Sequence, residues 1–73
     1  MFAVMKMIDY RQLFQRERQK KGYSQYKLAK LVGVSQTMIW EIENGRKTPS
    51  LEVFFRLCEA LDIKLFPGEE GEV

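Results

Sequence analysis

The chain contains no histidine and one cysteine, Cys58. The missing histidine removes the Ser-His-Asp triad, the Cys-His nucleophile pair and His/Cys zinc sites, and the single cysteine removes any disulfide framework within the chain. Together these gaps argue against an enzyme and against a metal or cofactor, so no cofactor is expected. No apolar stretch approaches 20 residues, and the run from Met1 to Met5 is broken by Lys6 without a signal-peptide core or cleavage site, so neither a membrane span nor export is expected and the chain reads as cytoplasmic.

What remains has globular proportions: 45% hydrophobic and 30% charged residues over 73 positions. This length reads as one domain, residues 1–73, with net stability of only about 3 to 5 kcal/mol, so association with a second copy is attractive. The net charge of +2 conceals an asymmetry. Residues 1–35 carry 8 Lys/Arg and 2 Asp/Glu, giving +6, while residues 36–73 carry 4 and 8, giving −4. A dipolar chain of this kind points one face at an anionic partner, either nucleic acid or a membrane surface, although scattered solvated charge explains the counts as well.

Gly22, Gly33, Gly45 and Pro49 fall at short-helix intervals. Asp9 with Gln12 makes a capping-box-like start, predicting a first helix over 10–21. Ser24 as N-cap, the Tyr23/Leu28 staple and an inward face of Leu28, Ala29, Leu31 and Val32 predict a second helix over 25–32, stopped by Gly33. Ser35 as N-cap, the Val34/Ile39 staple and inward Ile39, Ile42 and partly Met38 predict a third over 36–44. Ser50 opens a fourth over 51–61, with Val53, Phe54, Leu57, Cys58 and Leu61 inward; Cys58 there reads as a small hydrophobe. Ile63 to Phe66 alternates like a short strand before Pro67-Gly68, and residues 69–73 form an acidic tail expected to fray. Met1, Met5 and Met7 read as core filler or edge strand.

The sharpest signal is spacing. From Gln25 the pattern runs to Ala29, Gly33, Ile39 and Ile42, the sequence form of two short helices crossing closely around a tight turn, with residues 25–44 as the helix-turn-helix proper. The stretch SQYKLAKLVGVSQTMIWEIENGRKTPS, from Ser24 to Ser50, with Tyr23 before it, resembles the phage-repressor-like (lambda-repressor/XRE-type) helix-turn-helix family. That resemblance implies an all-α, four-helix fold with a short C-terminal extended segment, and sequence-specific binding of double-stranded DNA by a homodimer. The segment Ile63 to Phe66 further resembles the HipB-type antitoxins, in which a terminal strand pairs between subunits, and this brings in a possible toxin partner.

With Ile39 and Ile42 inward, helical geometry places Thr37, Trp40, Glu41 and Asn44 outward, with Gln36 at the N-terminal edge. Gln36 is the best candidate base reader, because its amide matches the N6/N7 edge of adenine; a plain solvated glutamine needs no such partner. Trp40 departs from the small or polar residue the resemblance implies, and it serves either a thymine methyl, a sugar face or local packing. Glu41 suits cytosine N4, repulsion of misplaced phosphates or simple solvation. Gln25 at a helix start suits a phosphate, a role the resemblance also implies, and Arg46, Lys47 and Asn44 occupy a loop where a DNA backbone would pass or where a basic loop is merely solvated. Arg18 and Glu43 flank the core as a candidate structural ion pair, again in positions where the resemblance implies one. Phe55, Leu65 and Phe66 form the candidate dimer surface. Two other functions stay open at this point: an antitoxin, or a protein-interaction module that binds no DNA.

Overall fold

A computed structural model describes residues 9–64. Four helices follow one another: α1 Tyr10–Lys20, α2 Gln25–Val32, α3 Gln36–Glu43 and α4 Leu51–Ala60. Among the described residues there is no strand, so the described architecture is all-α. Each helix has a local reason to start. Ser24, Ser35 and Ser50 have extended backbones and their hydroxyls accept the N–H of Lys27, Met38 and Val53, satisfying donors that a first turn leaves open. At α1 the Asp9 carboxylate accepts the Arg11 N–H, where Gln12 was expected to close a capping box, and the Arg11 guanidinium folds back onto the same carboxylate at 3.0 and 3.2 Å.

The stops are equally local. Gly33 (φ 87°) and Gly45 (φ 73°) take the left-handed conformation that ends α2 and α3. After α3, Gly45 N–H donates to Ile42 and Arg46 N–H to Glu41, the paired bonds that close off dangling helix carbonyls. Asp62 does the same after α4 at φ 58°, with Ile63 N–H donating to Cys58, and no glycine marks it in the sequence. The expected ends at 21, 44 and 61 each lie one residue too far: Lys21, Asn44 and Leu61 are the cap residues.

Phe14, Leu28, Ala29, Val32, Ile39, Ile42, Leu57, Cys58 and Leu61 form the buried core. Tyr10, Phe14 and Phe54 stack tilted or edge-on, with centroids 5.5 to 6.0 Å apart, and so join α1 to α4. Leu31 is a correction: expected inward, it is 50% exposed, because in a helix of two turns Leu28, Ala29 and Val32 already fill the contact with α3 and α4. Burial also pushes the Cys58 thiol pKa up, which fits its packing role. Of the expected C-terminal extended segment, Ile63 packs half-buried on the core and is non-helical, while Leu65 and Phe66, the acidic tail 69–73 and Met1, Met5 and Met7 lie outside the described residues.

Candidate nucleic-acid interface

Ile39 and Ile42 bury one side of α3, and the polar network at its C-terminal end fixes how that helix sits. Glu43 receives the Arg18 guanidinium through Nε to Oε2 at 2.7 Å and Nη2 to Oε1 at 3.0 Å, a two-pronged ion pair between α3 and α1. The side chains are 11% and 3% exposed. The third arm of Arg18 donates to the Tyr23 carbonyl at 2.9 Å. Gln25 Nε2 also donates to Glu43 Oε1, at 3.0 Å, so α1, the start of α2 and the end of α3 meet at one carboxylate. Among the described residues no buried side-chain nitrogen or oxygen lacks a partner, which is the condition for a buried charge pair to be tolerated.

The opposite side of α3 is open. Gln36 and Thr37 are exposed, Trp40 is 45% exposed and Glu41 is half-buried. Gln25, Gln36, Thr37 and Trp40 together line one shallow cleft of about 290 Å³, which puts the expected phosphate contact beside the expected base reader. One amide hydrogen of Gln25 is engaged by Glu43, and the other remains for a ligand, since a primary amide carries two.

Asn44 donates one amide hydrogen back to the Trp40 carbonyl at 2.9 Å at the helix end, and its second hydrogen remains, as in Gln25. Arg46 and Lys47 are exposed, and the Arg46 guanidinium lies over the Trp40 ring, 5.8 Å from its centroid. Sequence reasoning missed Arg11. Held by Asp9, its guanidinium lies against Gly45, where a Cβ would collide with it, and so adds a cation to the loop that already carries Arg46 and Lys47. Only a contact between distant segments brings it there, and no periodicity announces that. Phe55 is 48% exposed and sits apart from this face, on α4. Among the described residues no cluster of metal-ligating side chains occurs, and no helix is long and apolar enough to cross a membrane.

A short helix anchored by a buried ion pair, its outer face open beside a basic loop and a second short helix packed against it across a tight glycine turn, is the arrangement of a helix-turn-helix. The chain belongs to the helix-turn-helix family, whose model matches residues 14–66. It is 41% identical over 44 residues to the uncharacterized HTH-type transcriptional regulator YgzD of Bacillus subtilis, covering 60% of this chain and 67% of that one. It is 35% identical over 48 residues to the antitoxin HipB of Escherichia coli O6:H1, covering 66% of this chain and 51% of HipB. With HipB of Escherichia coli K12 the identity is 33% over 48 residues, covering 66% and 54%. The chain therefore spans about half the length of these two antitoxins.

Proposed function

We propose that this chain represses transcription by occupying a two-fold-symmetric DNA operator as a homodimer, acting by binding alone and without catalysis. The observation that carries the reading is the presentation of Gln36, Thr37 and Trp40 on the open side of α3, whose other side is held by Glu43 and Arg18. An α-helix about 10 to 12 Å across fits a B-DNA major groove about 12 Å wide. Gln36 then meets base edges, while Gln25, Arg46, Lys47 and Arg11 meet phosphates on either side.

Phe55 contributes to the proposed subunit contact together with Leu65 and Phe66, because an aromatic 48% exposed on so small a domain favours a partner. Two recognition helices about 34 Å apart would then face successive major grooves. A second reading, an antitoxin that also holds a toxin protein, is favoured by the likeness to HipB. Selection of bound duplexes from a random pool, followed by binding at several salt concentrations, tests the main reading. A palindromic consensus with a steep salt dependence is expected. Weak binding indifferent to both sequence and salt, or a monomer by sedimentation in the presence of the selected duplex, overturns it.

A further inference from the structure

Trp40 is the chain's only tryptophan, and it stands half exposed in the middle of the helix proposed to enter the groove. Three features define its surroundings. It is one wall of the cleft whose other walls are Gln25, Gln36 and Thr37. The Arg46 guanidinium lies over its ring, and the Asn44 amide clips its carbonyl at 2.9 Å. The indole is an apolar surface whose polar capacity is one N–H donor, with no acceptor.

The largest apolar feature the major groove offers such a surface is the 5-methyl group of a pyrimidine; unmethylated cytosine presents only a C5–H in its place, and the N7, O6, O4, N6 and N4 positions are hydrogen-bond donors or acceptors that would lose water against the ring. Trp40 follows Gln36 by four positions, about 6 Å of helix rise at 1.5 Å per residue. That distance is about two base-pair steps of 3.4 Å.

We propose that Trp40 is a specificity-determining residue that recognises the 5-methyl group of thymine, about two base pairs from the base read by Gln36. The assignment rests on the reading of α3 as the element that enters the major groove, and it names what that groove must contain. The methyl of 5-methylcytosine has the same chemistry and is accepted at the same place.

The test uses the full chain and duplexes it selects from a random pool. Each thymine is replaced singly by deoxyuridine, which removes the methyl and leaves pairing unchanged, and binding is measured for the wild type and for Trp40→Ala. One thymine in each half-site is expected to be sensitive, its replacement weakening wild-type binding about fourfold, the worth of one buried methyl. Trp40→Ala is expected to bind the thymine and deoxyuridine duplexes equally while keeping its preference at the base read by Gln36. Emission from the single tryptophan is expected to change more with the thymine duplex than with its deoxyuridine counterpart.

A wild type indifferent to every replacement overturns the proposal, as does a Trp40→Ala chain that keeps the sensitivity or loses affinity for all duplexes alike, which would mark a sugar contact. These results leave DNA binding itself standing. A chain that selects no duplex overturns the repressor reading and this inference together. Circular dichroism of Trp40→Ala, expected to match the wild type, separates lost recognition from lost folding.

Discussion

On the inward side of α3, Glu43 has both carboxylate oxygens engaged, by Arg18 from α1 and by Gln25 from α2, with almost no access to water. On the outward side, Gln36 and Thr37 are exposed and Trp40 is covered in part by the Arg46 guanidinium. The inward side tolerates little change, since a charge removed there strands its partner in a poorly solvated place. Residues on the outward side can be exchanged at small cost to the fold, because water replaces whatever they lose. The residue that anchors α3 and the residues proposed to meet DNA are thus different members of one eight-residue helix.

The comparison breaks most visibly at Glu43. Replacing Glu43 by Ala leaves the Arg18 guanidinium buried without its counter-charge, at a cost of about 3 to 5 kcal/mol, the size of the whole net stability of a domain this small. Thermal melting by circular dichroism should find the variant largely unfolded at room temperature. The double variant Arg18→Met/Glu43→Leu should recover much of the lost stability, and a Glu43→Ala chain that melts like the wild type would remove the anchor from the account.

On the outward side, Gln36→Ala should leave melting unchanged and weaken binding to selected duplexes by about 1 to 3 kcal/mol, relaxing the choice at one base pair per half-site. Full retention of sequence preference would assign base reading elsewhere. Arg46→Ala should be milder and of a different kind. Affinity should fall for selected and random duplexes alike, with the salt slope lower by about one unit per subunit.

The smallest effect concerns acid. Lys21 and Asp62 pair at 2.8 Å between the ends of α1 and α4, and this hydrogen bond holds the Asp62 carboxyl below its ordinary 3.8. Asp9 is lowered in the same direction by its bonds to Arg11. Carboxyls whose pKa is depressed by folding stabilise the fold above the ordinary value, and the contribution is lost as pH falls below it through the folded value. The contribution of these two carboxyls to melting temperature should therefore be level from neutrality to about pH 5 and fall slightly below about pH 4, and the part due to Asp62 should be missing in Asp62→Asn. An unaltered decline in that variant would show the pair to be inert.

The sequence carried the helices well because their boundaries are local. A serine hydroxyl three residues before the N–H it caps, or a glycine at a left-handed stop, leaves its mark within a few positions, as Ser35 with Met38 and Gly33 after Val32 show. Leu31 lies outside the core although periodicity assigns it inward, because periodicity alone gives a helix of eight residues too wide an inward face. Asp62 gave no signal, since a left-handed aspartate looks like any charged loop residue.

For the site, the outward arc of α3 is legible from helical angles, because Ile39 and Ile42 mark the inward side. The link from Gln25 to Glu43, the Arg11 contact with Gly45 and the Arg56 guanidinium donating to the Val32 carbonyl at 3.3 Å are not. These join segments 18 to 34 residues apart through single polar side chains, and no repeating pattern marks such a bond in one sequence.

The most direct test of the central claim, that the open side of α3 is the surface that meets DNA, is an amide and indole NMR titration of the full chain with a duplex it has selected. Shifts should concentrate at the Gln25 and Gln36 side-chain amides, the Trp40 indole N–H and the backbone of Arg46 and Lys47, leaving the N-terminal turn of α4 around Leu51 unmoved. Shifts confined to α4, with the Trp40 and Gln36 signals where they began, would contradict the account.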